Sequence, residues 1–171
     1  MSERPVPRGT VVVGLGNPLM GDDGFGLAAL ARLAGTWTVE GDVELVDGGT
    51  WGLNLLPVIE GARRVLFLDA IDARAAPGTL LILENGELPR AFAFRTSPHQ
   101  VDLRDVLALA TWRGTLPAHV VAVGVQPGRI ALGTTLSAPL EAAVDGVVAT
   151  AVARLREWGH ACSRAPVPCT S

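Results

Sequence analysis

Residues 11–30, VVVGLGNPLMGDDGFGLAAL, leave this chain few ways to fold. Val11, Val12 and Val13 make a short, wholly apolar β-branched run, the pattern of a strand covered on both faces. A turn rich in glycine (Gly14, Gly16, Gly21, Gly24, Gly26) follows, and then Leu27, Leu30 and Leu33 recur at helical spacing. Strand, glycine turn and helix in this order normally cradle an anion, because the free N–H groups of a helix start attract negative charge. Here Asp22 and Asp23 put the protein's own negative charge in that place. Two readings of the pair are open: a cap on the helix, or part of a cation site.

The later apolar runs extend the pattern. The first helix is expected over about 23–34, and Val43–Val46 reads as a second strand ending at Asp47-Gly48-Gly49-Thr50. Thr50 is placed to cap a helix over 51–59. Val65–Leu68 reads as a third strand ending at Asp69, so the order β-α-β-α-β implies parallel strands and right-handed crossovers. The short Pro77-Gly78 segment before Leu80–Leu83 is below the roughly dozen residues of a parallel crossover. That fourth strand is therefore expected to be antiparallel and at an edge. Val101, Leu103, Val106, Leu107 and Ala110 predict a helix, Val120–Val125 a fifth strand, and Leu140 to Trp158 a long closing helix. The expected fold class is a three-layer α/β/α sandwich. Its five-stranded, mostly parallel, twisted sheet has one antiparallel edge strand. Residues 1–9 form an N-terminal extension, 10–158 a single domain and 159–171 an irregular tail.

Composition limits the partners. A hydrophobic content of 49%, with a mean hydropathy of +0.35, suits a sheet covered on both sides. A formal charge of −3 and a pI near 5.6 argue against nucleic acid, whose phosphates demand a basic surface. MSERPVPRGT has no apolar leader core, and no run approaches membrane-spanning length. The expectation is a cytoplasmic protein without a membrane partner. Cys162 and Cys169 are open to a disulfide, a metal or two free thiols, and the free thiols fit a chain with no second pair.

In open α/β sheets ligands bind at the carboxyl ends of the parallel strands, near the point where strand order reverses. That edge is expected to gather residues 14–23, Asp47, Asp69 and the segment from Gln126. Carboxylates crowded there repel one another unless a positive charge stands among them. The chain has no lysine, and Arg63, Arg64 and Arg74 fall at strand starts or in an outer loop. A divalent cation solves the problem economically, held by one aspartate from each of two loops and one histidine. Of the three histidines, His160 is in the tail and His119 opens a strand at the far edge. His99, in Ser97-Pro98-His99-Gln100 before a helix, can reach over the pocket. Alternatively it is a solvent-facing loop histidine, and Asp69 a strand-end aspartate bonded to its own turn. Asp47 is a supporting candidate. Neither Ser97, which precedes proline, nor either cysteine has the neighbours of an activated nucleophile.

Gly14-Leu15-Gly16 starts like a dinucleotide fingerprint, but Leu19 stands where its third glycine belongs. Gly14-Leu15-Gly16-Asn17-Pro18 resembles the opening of bacterial peptidyl-tRNA hydrolases, yet the chain lacks that family's tyrosine and Arg-His-Asn segment. More of the sequence resembles the nickel–iron hydrogenase maturation endopeptidases. Their G-x-G-N-x-L-x-x-D-[DE]-x-x-G opening is matched by Gly14 to Gly26, followed by Asp47-Gly48-Gly49-Thr50, Asp69-Ala70 and Ser97 to Gln100. The resemblance covers roughly residues 10–160. It implies a five-stranded sheet between helices and removal of a C-terminal extension from the hydrogenase large-subunit precursor after nickel insertion. It also implies Asp23, Asp69 and His99 as catalytic and metal-binding residues, with Asn17, Asp22 and Asp47 in support. It implies that nickel arrives with the substrate and that another divalent ion can stand in for it in isolation. A non-catalytic factor that inspects the nickel site is the alternative function, with a peptidyl-tRNA hydrolase-like esterase behind it.

Overall fold

The computed structural model describes residues 8–88 and 103–166. The strand β1 (Arg8–Leu15) leads through the glycine turn to α1 (Phe25–Thr36), then β2 (Trp37–Val39) and β3 (Val43–Gly49). A short helix α2 (Leu56–Glu60) precedes β4 (Ala62–Ala70) and β5 (Leu80–Glu84). The remaining elements are α3 (Leu103–Trp112), β6 (His119–Val125), α4 (Ala138–Glu157) and β7 (Cys162–Arg164).

Five strands form one sheet in the order β3-β1-β4-β6-β5. β3, β1, β4 and β6 are parallel, and β5 joins β6 antiparallel at the edge, as its short connection demands. Because successive side chains point to opposite faces, the central strands feed two cores. Val11, Val13, Val65 and Phe67 meet Leu56 and Ile59 of α2 and Val106 and Leu107 of α3. Val12, Leu66, Leu68 and Val123 meet Phe25 and Leu33 of α1 and Val144, Val148 and Leu155 of α4. Helices on both faces are the reason these strands read as unbroken apolar runs rather than alternating ones.

Three local expectations change. The tail was expected to be irregular from 159, but β7 pairs antiparallel with β2, matching Trp37 to Arg164 and Val39 to Cys162. The guanidinium groups of Arg156 and Arg164 lie 5.2 and 4.5 Å from the Trp37 ring centroid, so cation–π attraction adds to the ladder. Cys162 is a free, half-buried thiol in this ribbon, and burial pushes its pKa up; Cys169 lies outside the described residues. His160 is equally anchored, its Nε2 2.8 Å from the hydroxyl of buried Thr10. Losing that bond in His160→Ala costs about 1 kcal/mol, a drop of about 3 °C in a thermal melt. Second, Thr50 caps nothing: α2 is short, preceded by a tight turn over 52–55, and its start carries no side-chain cap. Third, Arg8 and Gly9 of the expected extension belong to β1.

Candidate active site

Strand order reverses at β1. The chain leaves it for β3 on one side and returns to β4 on the other, so the crevice opens at the carboxyl ends of β1 and β4. Gly14 is level with Leu68 across this pair, which puts Asp69 beside the point where β1 runs into its glycine turn.

The turn is folded around Asp23. Its Oδ2 accepts the backbone N–H of Asn17 at 2.9 Å, while the Asn17 side-chain Oδ1 accepts the N–H of Leu19 at 3.0 Å. Asn17 therefore supports the site by shaping the loop that carries Asp23. Gly16 makes the close return possible: its φ is 118°, and a Cβ there would overlap the carbonyl oxygen of Asp23. Gly26 serves the same end, since a Cβ on it would overlap the carbonyl oxygens of Leu15 and Leu68, lifting α1 off the strand ends.

Asp69 has no exposed surface, and its Oδ1 accepts the N–H of Ala70 at 2.8 Å. The own-turn bond expected of a strand-end aspartate is thus present, in a carboxylate near the carboxyl end of β4. By alternation with Phe67 and Ile71, Asp69 belongs to the sheet face covered by α2 and α3. Asp47 is exposed on the outer strand β3, level with Gly14, so β1 separates it from β4 by two strand spacings, roughly 10 Å. His99 lies outside the described residues. Among the described residues no three His, Cys, Asp or Glu side chains group closely enough to hold a metal ion, so the structure does not gather Asp47 with Asp23 and Asp69.

Asp22 departs most from expectation. It caps no helix: α1 starts at Phe25, and Gly24 before it carries no side-chain cap. Its carboxylate is buried and turned into the segment that follows β6. Oδ2 accepts the N–H of Gly128 (2.8 Å), the N–H of Arg129 (2.7 Å) and the hydroxyl of Ser137 (2.8 Å), and Oδ1 accepts the N–H of Ser137 (2.7 Å). Burial raises the pKa of this group, but the donors from Ser137, Arg129 and Gly128 outweigh it and hold the carboxyl below its ordinary value. The segment 126–137 is accordingly fastened down rather than loose.

Gln126, which sequence reasoning noted only as the start of that segment, is buried and pins the stretch after Asp69. Its Oε1 accepts the N–H groups of Ala73 (2.8 Å) and Ala75 (3.1 Å), and its Nε2 donates to Asp72 at 3.1 Å. The signal for it was a single polar residue directly after an apolar strand at the ligand edge. Arg129 was also missed. It is an exposed cation at this same edge, whereas Arg64 and His119 pair at the opposite end of β4 and β6.

Sheet order, the closed glycine turn and the carboxylates at the β1–β4 crevice define a doubly wound α/β protein with an acidic site at its switch point. The hydrogenase maturation protease family profile matches residues 28–154. The chain is 37% identical over 155 residues to the hydrogenase expression/formation protein HupD of Rhodobacter capsulatus, covering 90% of this chain and 74% of that one. It is 34% identical over 150 residues to the hydrogenase 2 maturation protease of Escherichia coli, covering 87% and 92%. The structure of the hydrogenase maturating endopeptidase HybD from E. coli superposes with a TM-score of 0.85 at 33% identity, covering 91% and 96% of the two chains. The chain belongs to the hydrogenase maturation protease family, and it is a peptidase.

Proposed function

We propose that the chain removes the C-terminal extension of a nickel–iron hydrogenase large-subunit precursor after nickel insertion, reading the substrate's nickel through Asp23, Asp69 and His99. The observation that carries this reading is that Asp23 holds the turn leaving β1 while Asp69 stands near the carboxyl end of the adjacent strand β4, in a member of this family. Topology supports the third ligand. α3 ends at Trp112, and six residues, 113–118, connect it to the start of β6 at the amino edge of the sheet, so its first residue, Leu103, lies toward the carboxyl edge. His99 is four positions before Leu103 in sequence.

Two carboxylates and an imidazole form a hard, oxygen-rich set that need not hold nickel tightly alone. They complete the coordination of an ion already held by the precursor, so only a loaded substrate seats its scissile bond correctly. The Asn17–Asp23 bond fixes the turn, and the burial of Asp69 keeps its carboxylate in one orientation, which reduces the ordering cost of docking. A divalent ion brought by the substrate and held by these residues would supply the Lewis acidity that polarises the carbonyl or activates water, and a carboxylate beside it could accept the water's proton.

The test is mass spectrometry of nickel-loaded and metal-free precursor incubated with this protein. The loaded form is expected to lose its extension at least about tenfold faster. Equal rates would overturn nickel reading, and a loaded precursor of unchanged mass would overturn the peptidase assignment for this substrate.

A further inference from the structure

The segment clamped by Asp22 does more than close the fold. Leu19 accepts the N–H of Gly133 through its carbonyl at 2.9 Å, Gly21 donates to Gly133 at 2.8 Å, and Asp22 donates to Arg129 at 3.1 Å. Met20 and Gly133, and Gly21 and Ile130, form bridges of a small ladder joining the glycine turn to the segment after β6. Three large apolar side chains flank that ladder in water: Leu19 is 57%, Ile130 55% and Leu132 86% exposed. The ladder bonds at Leu19, Arg129 and Gly133 fix the backbone around them. Exposed apolar side chains gathered at one place mark an interaction site when they adjoin a functional one, and a backbone already fixed lowers the cost of ordering on binding.

Its position names the occupant. Leu19 is bonded to the Asn17 side chain, and Asn17 in turn to Asp23, so the patch is continuous with the candidate active site. A macromolecule whose reacting bond reaches Asp23 and Asp69 lies across it. We infer that Leu19, Ile130 and Leu132 form the docking rim for the folded precursor, meeting an apolar surface next to its C-terminal extension. This rests on the function proposed above, and deepens it: substrate choice is exercised by a shaped apolar contact beside the acidic site, as well as by the metal.

The test is steady-state processing of the nickel-loaded precursor by Leu132→Ser and Leu19→Ser, with Trp112→Ser as the control. Trp112 is 84% exposed but sits at the end of α3, at the opposite edge of the sheet. The two leucine variants are expected to raise KM about tenfold with kcat and melting temperature unchanged, and the tryptophan variant to change neither constant. KM within twofold of the parent in both leucine variants would overturn the rim, as would a fall in kcat alone. Sedimentation showing a dimer of this chain that Leu132→Ser dissolves would assign the patch to a second copy and overturn it also. If the unaltered protein does not shorten the precursor, the functional reading fails; if it does and the leucine variants match it, only the rim fails.

Discussion

Asp69→Asn is expected to bring processing of the nickel-loaded precursor below detection while leaving the protein folded. Asparagine has nearly the same shape, and its Oδ1 can still accept the Ala70 N–H that the aspartate accepts at 2.8 Å. The site is fully buried, so the shape-conserving amide is the substitution that disturbs its packing least. What the variant loses is the negative charge at the β4 end of the crevice. Removing an outer partner of a metal site typically costs about 10–100-fold, and a ligand lost from a site with only three should exceed that. Asp23→Asn should behave alike, since its amide can be oriented to keep the Asn17 N–H bond. Rates from mass spectrometry and melting curves decide together: full activity in either variant removes that carboxylate from the mechanism. Lost activity with a melting temperature lowered by more than about 10 °C would report a structural role instead.

How much of this could be read from the sequence follows from which interactions are local. The strands were legible because both faces are buried, which leaves runs such as Val65–Leu68 wholly apolar. The antiparallel edge followed from connection length, and the positions of Asp23 and Asp69 from the rule that ligands collect at strand carboxyl ends. The β2–β7 ribbon was not legible: Trp37-Thr38-Val39 and Cys162-Ser163-Arg164 are too short for periodicity, and what joins them is a backbone ladder with cation–π contacts between distant segments. The roles of the two adjacent aspartates were hidden for a similar reason. Nothing in Asp22-Asp23 says which carboxylate faces the crevice. Donors 106 to 115 residues away decide it, by drawing Asp22 into the segment after β6 and leaving Asp23 to close the glycine turn. Gln126 likewise finds its partners more than 50 residues back.

That division of labour makes Asp22→Asn the complementary experiment. The amide nitrogen must face at least one of the donors that now meet a carboxylate oxygen, and the remaining bonds lose their charge assistance. Because the site is 1% exposed, water does not replace what is lost. The cost is about 3 kcal/mol, a fall in melting temperature of about 10 °C for a chain of this size. Activity should fall with it, since the ladder that carries Leu19 and Leu132 loosens. The pH dependence identifies the cause. The folded-state pKa of Asp22 lies below its ordinary value of 3.8, so its stabilisation is complete well above that pH and is lost as pH falls through the folded pKa. Chemical denaturation of the parent and Asp22→Asn should therefore differ most near neutrality, and the gap should narrow as pH falls below about 4. A gap that stays constant down to pH 3 would mean the variant suffers from altered packing, not from loss of the charged clamp. Asp69→Asn should instead lose processing with the fold kept, and that contrast separates the carboxylate that builds the site from the one that acts in it.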